Sequence, residues 1–400
     1  MAVRNRKQLN AEKDSGEKNN MKTSAAKIEK EDNVLTVPGM FAALLSGTAF
    51  GVAIDKANLN KPYALEQQMS FSSFTMMRLF LVAAATSTFI VTMAMMLGMT
   101  PPEQKPATRL GLRLFGGYGG NVVGGFLVGI GMYLSGACPG TIWTQVGAFP
   151  GLRTATIVFG GILGTITLAY LQPLLRAKNK DFMMTTPDPI SGNLKLRMGV
   201  ATSMFVCICV CVYLLDLVFP WEKEMDKIIH GDTHTLKGVD TVWDPLHAGL
   251  VVGLVQVPAL LFIGSPFGMS RAFVVFSSHI CSLFDSRIRE RAPYFSKYQY
   301  QKAANYQVLI SIGAVIGAYL SFHVLTSSEV QLKYHEPVLA RQENVLIGDF
   351  VGGFLMLFGA RLGGGCTSGH GLSGMALGSV ASVVTVACMF AGGLLTSLIV

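Results

Sequence analysis

From residue 34 to the C-terminal Val400, long apolar runs alternate with short polar joints. A bilayer interior of about 30 Å takes about 20 apolar residues as helix. On that rule the pattern predicts nine spans, at 34–54, 71–99, 119–137, 151–175, 198–219, 246–264, 306–326, 346–362 and 379–400. Three further apolar pieces, at 139–149, 265–284 and 367–378, are too short or too glycine-rich to cross alone. They are expected to be half-helices or re-entrant segments, which persist at membrane depth only where protein or a water-filled path covers them. The expected fold is an all-α polytopic membrane protein.

Ahead of these runs, residues 1–33 are polar and mixed in charge, which predicts a disordered tail. The first apolar run follows Asn33, so no cleavable signal peptide is expected. Glu12, Asp14, Glu17 and Glu29 spoil the acid-poor pattern of a mitochondrial presequence.

Composition agrees with the pattern. Charged residues make up 14% of the 400 and mean hydropathy is +0.45, where a soluble domain carries about 25% charged residues. A secreted disulfide scaffold, a coiled coil and a nucleic-acid-binding domain are thereby excluded for the whole chain, and no nucleic-acid partner is expected. The net charge of +8 is informative by location. Lysines and arginines crowd the joints at 100–118, 176–197 and 265–305, and positive-inside bias then places the N-terminus in the cytoplasm and Val400 outside it.

Three spans carry GxxxG spacings, Gly125/Gly129, Gly160/Gly164 and Gly313/Gly317, which are expected to be packing faces. The stronger regularity is an internal repeat. Residues 122–140 (VVGGFLVGIGMYLSGACPG) and 350–368 (FVGGFLMLFGARLGGGCTS) align without gaps at an offset of 228, with nine of 19 positions identical. Cys138 falls opposite Cys366, and Asn121 opposite Asp349. Outside this stretch the halves match poorly. Two four-span halves, 34–175 and 246–400, are expected on either side of a 176–245 linker holding the single span 198–219. An odd linker inverts the second half, giving an inverted repeat whose broken helices meet near the bilayer midplane.

Both repeats end in a glycine-rich break bearing a cysteine. In the first, Gly136, Cys138, Pro139, Gly140 and Thr141 stop one helix and open another, Pro139 being suited to the opening turn. In the second, Gly365, Cys366, Thr367, Ser368 and His370 stand at the same place, with Thr367 or Ser368 as the expected cap. Helix starts present free N–H groups and favour an anion. Two such starts brought together would form a small anion-selective constriction with two thiols, better suited to a soft sulfur-containing anion than to a fully oxygenated one. Arg361 either attracts that anion or pairs with a structural partner such as Asp349. His370 either meets the substrate or caps its helix. Arg78, Asp55 and Asp216, near span ends, are expected to snorkel or face water. Cys207, Cys209, Cys211, Cys281 and Cys388 read as apolar filler. No CxxC pair, Walker loop, HExxH or GxSxG is present, so no metal, cofactor, ATP-driven or hydrolytic chemistry is expected.

SGACPGT at 135–141 and GARLGGGCTSGHGLSG at 359–374 resemble the YeeE/YedE family of sulfur transport proteins over roughly 34–400. The resemblance implies a thiosulfate permease with an hourglass-shaped fold, Cys138 and Cys366 contacting the anion at its narrow centre. It implies a small sulfur-containing anion, the lipid bilayer and a cytoplasmic sulfur-carrier protein as partners. Prokaryotic members often carry a further pathway cysteine early in the first half, and this chain has none before Cys138. The competing reading is a membrane thiol enzyme that transfers or exchanges sulfur at the same two cysteines.

Overall fold

The computed structural model describes residues 35–99, 108, 110, 116–175, 194–224, 242–285, 287–326 and 346–400. The expected tail at 1–33 and the larger part of the long joints lie outside the described residues. The elements are helical throughout: α1 (Val37–Lys56), α2 (Pro62–Met69), α3 (Thr75–Met96), α4 (Gly119–Ser135), α5 (Thr141–Ala148), α6 (Leu152–Leu175) and α7 (Leu194–Val218). They continue with α8 (Pro245–Ile263), α9 (Ser270–Phe284), α10 (Pro293–Gln299), α11 (Lys302–Val324), α12 (Leu346–Gly363), a π-helical segment (Ser368–Gly374) and α13 (Val380–Ile399). Among the described residues, eight helices are long and apolar enough to cross a membrane. The ninth expected span, 119–137, is the 17-residue α4, shorter than each of these eight. The three short pieces contain α5, α9 and the π-helical segment.

α4 and α12 form the centre and run antiparallel. A Cβ added to Gly124 would meet Gly359 and Gly363, and one added to Gly131 would meet Gly352 and Met356. These contacts are reciprocal, since Gly124 and Gly131 are opposite Gly352 and Gly359 at the offset of 228. The correspondence runs beyond the sequence match. α13 starts 228 residues after α6, and each flanks the opposite central helix in the same register. Gly125 meets Thr385 as Gly353 meets Ile157, and Gly392 meets Phe126 as Gly164 meets Phe354. Outside the central pair, α1 packs parallel on α11, and α8 packs parallel on α3. Sequence shows little of this because contacts between backbones constrain only residue size.

All three GxxxG pairs are packing faces. Added methyl groups would run into the carbonyls of Thr385 and Met389 for Gly125 and Gly129, of Phe350 and Phe354 for Gly160 and Gly164, and of Leu44 and Thr48 for Gly313 and Gly317. Overpacking costs about 1–3 kcal/mol. Gly129→Val should therefore lower the thermal unfolding midpoint in detergent. Gly199→Val, with open space around it, should leave the midpoint unchanged; equal midpoints for both variants would contradict the packing assignment.

The central helices are tied at their ends by two unlike devices at equivalent places. Asn121 Nδ2 donates to Gly363 O at 3.2 Å and to Thr385 Oγ1 at 2.9 Å, satisfying a carbonyl at the end of α12. The equivalent carbonyl, Ser135 O at the end of α4, faces Asp349, which as a carboxylate has no hydrogen to donate. Arg153 fills the gap: its Nη2 donates to Ser135 O at 2.5 Å and lies 3.1 Å from Asp349 Oδ1. Asp349 is thus taken by Arg153, and Arg361 does not pair with it.

Arg78 corrects another expectation. It is 1% exposed rather than snorkelling, with Glu224 Oε1 at 3.6 Å, Asp216 Oδ1 at 4.0 Å and the Phe219 carbonyl as partners. Glu224 Oε2 also accepts from the Phe74 N–H at 3.1 Å and the Thr75 hydroxyl at 2.7 Å, which fastens the end of the α7 region to the start of α3. α7 otherwise presents apolar side chains outward, among them Val206, Val210, Leu214 and Leu217.

Candidate functional site

The two breaks are built alike. α4 ends at Gly136 with φ 57°, and α12 ends just before Gly364 with φ 89°, again 228 residues apart. This left-handed conformation closes a helix without strain only where no Cβ is present. Each chain then turns sharply and sets a cysteine before a short helix.

At the first break, the Thr141 N–H donates to Cys138 Sγ at 3.2 Å and the Cys138 N–H donates to Thr141 Oγ1 at 2.8 Å. This reciprocal pair opens α5 in the manner of a capping box, with sulfur in place of an oxygen. Pro139 and Gly140 lie inside this opening turn, which the Ile142 N–H closes on the Cys138 carbonyl at 3.0 Å, and regular helix begins at Thr141. Gln145 Nε2 donates to Gly136 O at 2.8 Å and fixes the turn from behind. At the second break, Cys366 Sγ lies 3.2 Å from Ser368 Oγ, and the Cys366 carbonyl accepts the His370 N–H at 2.7 Å. Neither Thr367 nor Ser368 caps the segment with its side chain. The segment is wound as a π-helix, and the Ser368 hydroxyl faces the thiol instead.

A cavity of about 60 Å³ lies between the breaks. Cys138, Gly140 and Thr141 wall it from one side, and Thr367 and Ser368 from the other. Cys366 is fully buried and stands one hydrogen bond behind Ser368, in the same packed cluster as Cys138. The remaining wall is mostly apolar and rich in thioethers, with Met69, Met76, Met132 and Met389 beside Phe50 and Phe80. Sulfur on several sides makes the cavity polarisable and weakly hydrogen-bonding, an environment for a soft anion. These methionines were not singled out in the sequence. A chain with 20 methionines gives no local signal for four that converge from separate helices.

The other expected site residues lie apart from this wall. His370 is fully buried with Nδ1 2.9 Å from Ser382 Oγ, joining its segment to α13. Arg361 is buried against α9 and α10, where its Nε donates to Tyr294 Oη at 2.7 Å and its Nη1 to Ser270 Oγ at 2.9 Å. Gly365 is buried within the break. Among the described residues no group of three or more His, Cys, Asp or Glu gathers as a metal site.

Long apolar helices, two matching helix breaks and a sulfur-lined cavity between them define a polytopic α-helical membrane protein. The chain belongs to the sulphur transport family, whose model matches residues 56–395. It is also 22% identical over 265 residues to the thiosulfate transporter TsuA of Escherichia coli (strain K12). That similarity covers 63% of this chain and 66% of the relative, just under two thirds of its length.

Proposed function

We propose that this protein carries thiosulfate or a closely related small sulfur anion across a membrane, with Cys138 and Cys366 as successive contacts at the narrowest point. In this reading residues 34–175 and 246–400 are the two transport repeats, and 176–245 joins them. The observation that carries it is the cavity walled by both breaks, with one thiol on its surface and the other a single hydroxyl behind. Family membership and the similarity to a thiosulfate transporter support the same substrate class. The decisive experiment is uptake of labelled thiosulfate into vesicles reconstituted with the full chain, with sulfate, sulfite and chloride as competitors. Uptake should be saturable, inhibited most by sulfur anions and indifferent to Na⁺ and K⁺ at constant anion. Empty vesicles and loaded vesicles taking up thiosulfate equally would refute the reading.

Orientation is part of the proposal. The basic joints at 100–118, 176–197 and 265–305 support a cytoplasmic N-terminus and a C-terminus on the opposite side. A membrane-impermeant label on a single cysteine introduced at 225–241, in a background lacking reactive thiols, should react from outside intact cells. Reaction only after permeabilisation would reverse the orientation.

A further inference from the structure

Away from the cavity, two arginines stand near one another with no acid beside them among the described residues. Arg361 is 2% exposed, and its guanidinium carbon lies 5.6 Å from the centroid of the Tyr298 ring and 6.0 Å from that of Tyr294. Its Nε is on Tyr294 and its Nη1 on Ser270, so both partners are neutral hydroxyls. Arg271, in the first turn of α9, is partly buried, and its backbone N–H is held by Gln307 Oε1 at 3.1 Å. Its guanidinium makes no hydrogen bond or ion pair among the described residues. Arg361 Nη1 sits on Ser270, the residue before Arg271, and the Arg271 charge interacts with Tyr298, Arg361, Tyr294 and Cys366.

No carboxylate oxygen lies within 4.0 Å of either guanidinium among the described residues. Asp349 is held by Arg153 and Asp285 by Arg291. Two neighbouring cations in a poorly solvated site repel, and such charges are costly unless used or paired. The tyrosine rings and hydroxyls cover Arg361 without neutralising it. Among the described residues the site holds no anion, and a guanidinium fork matches the spacing of oxygens on a sulfur or phosphorus centre.

We propose that Arg271 and Arg361 form an anion station next to Cys366, which binds a small divalent oxyanion through its oxygens. This deepens the transport reading and rests on it for the identity of the anion. Thiosulfate is hard at its three oxygens and soft at its terminal sulfur. The station takes the hard end, while Cys366 and the cavity beyond Ser368 take the soft one. Discrimination between sulfate and thiosulfate then arises at the thiols, and the station binds both.

The test is equilibrium binding of thiosulfate and of sulfate to the purified full chain in detergent, followed by calorimetry and by the anion-dependent rise in unfolding temperature. Arg271→Gln is the principal variant because its side chain is partly exposed and makes no hydrogen bond or ion pair among the described residues. A hydrogen bond to a charged group is worth roughly 10- to 150-fold in affinity, so this variant should bind both anions at least tenfold more weakly while its unfolding temperature without anion is no lower than that of the wild type. Arg361→Lys keeps the charge but loses the fork, and should weaken both anions by a smaller factor. Wild-type affinity in Arg271→Gln, or failure of the wild type to bind either anion, would overturn the station. If the wild type binds sulfate in an Arg271-dependent way yet moves no thiosulfate into vesicles, the station stands and the thiosulfate reading falls.

Discussion

Cys138→Ala is expected to reduce thiosulfate uptake by at least tenfold in reconstituted vesicles while the protein stays folded. Cys138 is the thiol on the cavity surface, and a methyl group in its place donates nothing to a passing anion. Losing a hydrogen bond to a charged group removes about 1.5–3 kcal/mol, or roughly 10- to 150-fold in affinity. The structural loss is smaller, because only the sulfur acceptor of the Thr141 N–H disappears while the Thr141 hydroxyl still holds the Cys138 N–H. Cys366→Ala should lower uptake in the same direction, since it removes the sulfur that faces Ser368. Cys138→Ser retains a donor of similar size but harder character, and partial activity would show that donation matters more than softness. Cys207→Ala and Cys211→Ala, on the exposed face of α7, should be neutral. Undiminished uptake by the Cys138→Ala/Cys366→Ala double variant would exclude the thiols from transport. A stable added sulfur mass on either cysteine after exposure to thiosulfate would instead mark covalent transfer, the chemistry of a thiol enzyme.

The largest effect on stability is expected at Arg153. Removing one member of a buried ion pair leaves the other charge without compensation and costs about 3–5 kcal/mol. Arg153 and Asp349 are 4% and 1% exposed and 3.1 Å apart, so Arg153→Ala should lower the unfolding temperature sharply. The other half of the molecule supplies the rescue. At the equivalent positions it has Asn121 and Ala381, and there the asparagine alone reaches the carbonyl at the helix end. Asp349→Asn combined with Arg153→Ala copies that arrangement, removes both charges together and should recover a large part of the lost stability. Unfolding in detergent by heat or denaturant, measured for both single variants and the double, gives the coupling directly. Losses that simply add would show that the two residues are not a unit.

The sequence by itself determined the class of protein and its helices, because long apolar stretches in a membrane protein are fixed by the thickness of the bilayer and not by contacts. It also located both breaks, since a left-handed turn at Gly136 and Gly364 depends on a local absence of Cβ. The extent of the internal repeat was less legible. Its register is held by close backbone approaches such as Gly392 on Phe126, which demand small residues but few identities. The tertiary structure alone decided which polar residues share a site. It gave Asp349 to Arg153 rather than Arg361, placed His370 against Ser382, and set Arg361 on Ser270, 91 positions away in the chain. It brought four methionines around a single cavity. The physical reason is that a helix fixes the order of its side chains, while the partner each one meets depends on how separate helices cross, and no local pattern records that.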